Sequence, residues 1–186
     1  MIFIDNNFSE HLKVLNDSRV LNKMIIEISE LITQSLKNGN KIIWCGNGGS
    51  AADSMHLSTE LIGRYKSNRK SLSSISLSAN SVALTCIAND FGYEYIFSRQ
   101  IEGVGKSGDV LVCLTTSGNS LNIVKAITTA KYMNIKTILI SGNQGGKCSK
   151  LSDFELIIPS ESTARIQEMQ IFIGHIICDY IEVNFN

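Results

Sequence analysis

Apolar residues recur at three- and four-residue steps through the first part of the chain. Leu12, Leu15, Leu21, Ile25, Ile28, Leu31, Ile32 and Leu36 mark a helical stretch over residues 6–37, because a 3.6-residue repeat places such positions on one face. Asp17 and Ser18 interrupt the run and can cap a second helix. "KNGNK" breaks the pattern, and from "KIIWC" onward short apolar runs alternate with helical ones. Strands are predicted at 41–45, 72–77, 109–114, 136–140 and 154–158, and helices at 50–63, 80–88, 93–104, 119–133 and 162–183. Strands separated by helices of this length indicate βαβ units and a parallel sheet. "VLVCL" and "TILI" are apolar throughout, as strands covered on both faces should be. The only proline, Pro159, ends the last strand, and no linker or low-complexity tract divides the chain. The expectation is one doubly wound α/β domain over residues 1–186. Its five-stranded parallel sheet, flanked by helices, spans 39–186, with a helical N-terminal segment over 1–38.

Composition narrows the function. Apolar residues are 44% of 186, enough for a core that needs no disulfide or metal staple. Lys plus Arg equals Asp plus Glu at 17 each, which removes the electrostatic reason to expect nucleic acid or an anionic membrane as partner. "MIFIDNNFSEHLK" has neither a basic n-region nor a cleavage site, and no window approaches the ~18 uninterrupted apolar residues of a membrane span. The five cysteines, Cys45, Cys86, Cys113, Cys148 and Cys178, include no C-x-x-C pair. Cys45, Cys86 and Cys113 sit in apolar surroundings, so buried reduced thiols are expected rather than catalysis or a zinc knot. The expected location is the cytoplasm.

Candidate chemistry begins at the strand ends. Four strands run into small polar turns, "CGNGGSAAD", "SLSANSV", "LTTSGNS" and "LISGNQGG", and in an open parallel sheet such turns gather where ligands bind. Gly46-x-Gly48-x-x-Ala51 matches a permissive dinucleotide fingerprint, which also requires an acidic residue roughly 20 positions on. Between Glu60 and Asp90 there is no Asp or Glu. Arg69 and Lys70 could meet a 2′-phosphate instead, so an NADP reading is weakened without being removed. No Gly-Lys-Ser/Thr follows, which excludes a Walker loop. The bland reading of the turn places Ser50 near the N-cap, satisfying free amides. "TTSGNS" is the better anion candidate: it opens a helix, and Thr115, Thr116, Ser117 and Ser120 offer four uncharged hydroxyl donors.

His56 and Glu60 stand at i and i+4, on one helical face. Gln167 and His175 lie on the last helix, two turns and roughly 80° apart. His11 has no distinguishing context. Each histidine taken alone reads as a hydrogen-bonded core residue. If the two helices meet, Glu and His can move a proton between adjacent carbons of a sugar, and His56, Glu60 and His175 with the Gln167 carbonyl can hold a zinc-like ion. A non-catalytic phosphosugar-binding or protein-interaction protein would need the hydroxyl turns but not this quartet.

In order, "CGNGGSAAD", "MHLSTELIGRY", "ANDFGYEYIFSRQ", "GDVLVCLTTSGNS" and "TARIQE…H" resemble the sugar-isomerase (SIS) domain of bacterial phosphoheptose isomerases, from about residue 40 to the end. The resemblance implies a five-stranded parallel sheet, a homotetramer with sites at subunit interfaces, and one zinc ion per subunit. It implies conversion of sedoheptulose 7-phosphate to D-glycero-D-manno-heptose 7-phosphate, for heptose in surface polysaccharide. Asn47, Gly48, Gly49, Ser50, Arg64, Asn89, Asp90 and Gln167 would bind the substrate, with Thr115, Thr116, Ser117 and Ser120 around its phosphate. Glu60 and His175 would be the acid/base pair, and His56, Glu60, Gln167 and His175 the metal ligands. Three positions depart from the family: Thr115 replaces a common serine, Ala164 a substrate-contacting aspartate of some members, and Gln170 the histidine of "QE-x-H".

Overall fold

The computed structural model describes residues 2–185. Helix α1 (Ile2–Asp17) and helix α2 (Asn22–Lys37) are joined by a 3-10 turn at Ser18–Leu21, so the long N-terminal helical run breaks at Asp17 and Ser18 as expected, but neither caps α2: its N-cap is Leu21, and the Ser18 hydroxyl donates to the Val14 carbonyl. Five strands follow: β1 (Ile42–Gly46), β2 (Ser74–Ser76), β3 (Val110–Thr115), β4 (Lys136–Ser141) and β5 (Phe154–Ile157). They pair in the order β2-β1-β3-β4-β5, every pair parallel. Between them run α3 (Gly49–Ile62), α4 (Ser81–Phe91), α5 (Ser98–Val104) and α6 (Leu121–Tyr132), and α7 (Thr163–Val183) closes the chain.

Alternation along each strand divides the core. Ile42 and Trp44 of β1, with Val110, Val112 and Leu114 of β3, pack beneath α2, α3 and α7. Ile43, Cys45, Leu111 and Cys113 face α5 and α6 on the other side. Both faces are dry, which is why β1 and β3 are buried along their whole length. Cys86 is the exception among the thiols: it is exposed on α4, while the other four are buried. Two elements are shorter than the pattern indicated. β2 forms only over Ser74–Ser76, at the sheet edge, and the expected helix at 93–104 splits into a 3-10 turn at Tyr93–Tyr95 and the short α5. The opposite happens at α4, which runs on to Phe91 and stops at Gly92, whose φ of 105° a side chain would resist.

Candidate active site

In this strand order the direction of winding reverses between β1 and β3, and the crevice at their carboxyl ends is where open α/β sheets bind ligands. The turns after β1 and β3 face each other there. Asn47 and Asn122 span the crevice as a reciprocal amide pair, each Nδ2 donating to the other's Oδ1 at 3.0 and 2.9 Å. The Tyr93 hydroxyl also donates to Asn47 Oδ1, at 2.9 Å. Asn122 and Tyr93 were absent from the sequence reading. Asn122 has a signal there, two residues beyond "TTSGNS", but its partner is 75 positions away.

Gly48, at φ 56°, turns the chain from β1 into α3 and is itself the N-cap. Ser50 therefore lies inside the first turn rather than at the cap, and its hydroxyl is directed elsewhere: it donates to Gln170 Oε1 at 2.9 Å. The Gln167 amide lies over Gly49, where a Cβ would collide with it. A side chain at Gly49 would displace the Gln167 amide from this position.

In the turn after β3, the Thr115 hydroxyl accepts from the Gly118 amide (3.3 Å) and the Ser117 hydroxyl from the Asn119 amide (3.2 Å). A hydroxyl that accepts keeps its own proton to donate, so both remain able to bind an anion at the head of α6. The turn after β4 straps this loop: Asn143 Nδ2 donates to the Thr116 carbonyl, and the Cys148 amide to that of Gly118. Thr116 and Ser120 are half-buried in the same loop.

Two turns along α3 from Gly49, the helices α3 and α7 bring the ionisable residues together. His56 Nε2 is 3.1 Å from His175 Nε2 and 3.1 Å from Glu60 Oε1. Donor atoms of His56, Glu60 and His175 all lie within 4.8 Å of one another. Ligands arranged tetrahedrally about zinc at roughly 2.0–2.1 Å stand about 3.3 Å apart, so the donor type and spacing suit such an ion. Burial and the neighbouring His56 ring hold the His175 pKa below the usual imidazole value, while Glu60 pulls the other way. The His175 ring is thereby kept neutral near pH 7, available to accept a proton or a cation. The Tyr65 ring lies beside it at a tilt, ring centroids 5.5 Å apart.

One turn before His56, Asp53 is buried with Oδ2 lacking a hydrogen-bond partner. Burial pushes its carboxyl up to about 6, against the lowering effect of His56. Asp53 was also missed, although its i, i+3 spacing to His56 was a readable sign. Arg64 is exposed in the loop after α3. Asn89 and Asp90 end α4, bonded to each other at 2.8 Å and exposed. Arg69 cannot serve a 2′-phosphate: its guanidinium donates to the backbone carbonyls of Glu60, Leu61 and Lys70, and its side chain is 3% exposed. That takes Arg69 out of the NADP reading. His11 ties α1 to α7 through Glu168, at 2.7 Å.

Comparison with known proteins gives this geometry a family. The SIS domain model matches residues 7–142. The chain is 45% identical over 182 residues to phosphoheptose isomerase 1 of Campylobacter jejuni, covering 98% of each chain. It is 49% identical over 183 residues to a phosphoheptose isomerase of Helicobacter pylori, covering 98% of this chain and 95% of the other. The solved structure of the phosphoheptose isomerase from Neisseria gonorrhoeae superposes with a TM-score of 0.91 at 37% identity, over 97% of both chains. The chain is a member of the SIS-domain family and, within it, belongs to the phosphoheptose isomerases.

Proposed function

We propose that this isomerase interconverts sedoheptulose 7-phosphate and D-glycero-D-manno-heptose 7-phosphate, supplying heptose for surface polysaccharide. The observation that carries the reading is the His56–Glu60–His175 cluster, on the helix opened by the glycine turn. A protein that only bound a phosphosugar would need the hydroxyl loop and not this cluster. Ketose-to-aldose conversion removes a proton from C1, passes through an enediolate and returns a proton to C2. Glu60 and His175 are the acid/base pair for these transfers.

The phosphate is assigned to Thr115, Thr116, Ser117 and Ser120, with the amides at the start of α6 adding positive potential. Asn47, Gly48, Gly49 and Ser50 are assigned to the sugar, with Arg64, Asn89 and Asp90 as further contacts. Gln167, over Gly49, belongs with the sugar contacts and is the fourth donor of the proposed metal set. His56, Glu60 and His175 would hold a zinc ion, one per subunit. Bound there, zinc would polarise the substrate carbonyl and stabilise the enediolate charge. A homotetramer with sites at subunit interfaces fits the apolar strip on α1 formed by Ile4, Phe8 and Leu12, all more than half exposed. No helix among the described residues is long and apolar enough to cross a membrane, which agrees with a cytoplasmic enzyme.

The test is an aldose–ketose assay on sedoheptulose 7-phosphate, with and without chelator, comparing wild type with Glu60→Gln and His175→Gln. Both substitutions are expected to abolish turnover, about a 10²–10⁴-fold loss, while inorganic phosphate still binds. Full activity in Glu60→Gln would sink the mechanism. Tight sugar-phosphate binding by a zinc-supplied but inactive wild type would favour a binding protein.

A further inference from the structure

The face that α7 turns toward α3 carries Gln167, Gln170 and Gly174, at i, i+3 and i+7. Gln170 has no exposed surface, and a buried amide must find partners for both its ends. Its Nε2 donates to the Ile140 carbonyl of β4 at 2.9 Å, and its Oε1 lies 2.9 Å from Ser50 Oγ. These contacts fix the direction of every bond in the chain. A backbone carbonyl can only accept, so the NH₂ must face Ile140. The amide oxygen must then face Ser50, and since it too can only accept, the serine hydroxyl donates to it. A serine has one hydroxyl proton. With that proton committed, Ser50 Oγ has only lone pairs left for a ligand.

The geometry points to Gln170 as a positioning residue that sets Ser50 as a hydrogen-bond acceptor, so that the glycine turn receives a hydroxyl of the sugar and discriminates against an anionic oxygen. This rests on the phosphosugar reading above and extends it to which end of the ligand lies where. The loop after β3 has the opposite polarity. Thr115 and Ser117 accept from the Gly118 and Asn119 amides, which leaves their protons to donate to phosphate. The hydroxyls of the two loops therefore differ in what they offer a ligand: those of Thr115 and Ser117 donate, and that of Ser50 accepts. Because an amide side chain does not titrate, the polarity at Ser50 is the same at every working pH.

Ser50 is held from the other side as well. Gly46 has no room for a Cβ against the Ser50 backbone, so β1 and the first turn of α3 pack closely at this point. Gln170 is the partner that decides what Ser50 can offer.

The experiment is a double-mutant cycle on the metal-loaded enzyme: wild type, Ser50→Ala, Gln170→Met and the double variant. Met keeps the volume of the side chain and removes both hydrogen bonds. KM and kcat for sedoheptulose 7-phosphate, and the inhibition constant of inorganic phosphate, are measured for each. Each single substitution is expected to raise KM about tenfold, the worth of one hydrogen bond. The double variant should be within twofold of Ser50→Ala, because residues acting through one contact do not add. Phosphate inhibition should change less than twofold throughout. Gln170→His, whose neutral ring has one donor and one acceptor, should recover most of the loss.

Additive losses would overturn the inference, as would a Ser50→Ala variant with unchanged KM. Equal weakening of sugar and phosphate binding would overturn it too, since Ser50 would then be a phosphate donor. If Gln170→Met does not fold, Ser50→Ala alone still separates KM from phosphate inhibition. The same cycle read in the dissociation constant of sedoheptulose 7-phosphate decides the matter without turnover. Absence of turnover in the wild type would instead overturn the isomerase reading.

Discussion

At the scale of single residues, the site depends on a position that carries no chemistry. Gly174 faces α3 one residue before His175, and a Cβ there would collide with the Leu57 side chain. Gly174→Ala is expected to cost about 1–3 kcal/mol through overpacking. It should also lever α7 away from α3, widening the 3.1 Å separation of His56 and His175. Thermal unfolding and zinc titration of the same variant check both effects; lower stability with undiminished zinc affinity would show that the seam does not set the ligand spacing. His56 and Glu60 were legible in the sequence because a helical repeat puts i and i+4 on one face. His175 was legible as chemistry but not as a neighbour, since its contact with His56 spans 119 positions. Ser50 does lie near the N-cap, but that its hydroxyl serves no free amide was hidden for the same reason. Its partner Gln170, 120 residues later, takes the hydroxyl that local rules would assign to the backbone. Cys86 was misread as buried because a run of apolar neighbours on α4 does not say which of them faces the core.

Between residue and fold, the loop joining α3 to β2 shows how elements hold one another. The Glu182 carboxylate near the end of α7 accepts from the amides of Tyr65, Lys66 and Ser67 at 2.6–2.9 Å and lies 3.4 Å from Arg69 Nε. Arg69 Nη2 in turn donates to the Glu60 carbonyl at 2.7 Å, so this clasp reaches the last turn of the helix that carries the proposed acid/base group. Burial would raise the Glu182 pKa, but the amides of Ser67, Tyr65 and Lys66 and the Arg69 charge together hold it below the usual carboxylate range. The folded protein therefore binds the Glu182 proton less readily than the unfolded chain does. The resulting stabilisation is complete above the ordinary glutamate pKa and disappears as pH falls through the depressed folded value. Glu182→Gln should lower stability by about 2 kcal/mol at pH 7, roughly 4–8 °C in Tm for a chain of this size. The gap from wild type should close in acid. A gap independent of pH would show that the carboxylate charge is not what the loop recognises. The elements themselves were well signalled by apolar periodicity. The shortened β2 and the divided 93–104 segment were not, because strand length at a sheet edge depends on how far its neighbour pairs with it.

Across the whole molecule, the strand order places the glycine turn and the hydroxyl loop on either side of one crevice, and that followed from reading alternating strands and helices with polar turns at their ends. What periodicity could not convey is the outer surface. The apolar positions of α1 that suggested a helix include Leu12, which is exposed together with Phe3, Ile4 and Phe8. A helix that exposes an apolar strip is more often an interface than a free surface. Sedimentation of the wild type should give a tetramer, and Phe8→Glu should shift it toward smaller species; an unchanged tetramer would move the interface elsewhere. The central claim is that the α3–α7 cluster moves a proton between neighbouring carbons, and the most direct measurement is turnover of sedoheptulose 7-phosphate in D₂O with product analysis by NMR. Deuterium at C2 of the aldose in wild type, and neither turnover nor exchange in Glu60→Gln, is the expected result. Turnover and exchange undiminished in Glu60→Gln would contradict it.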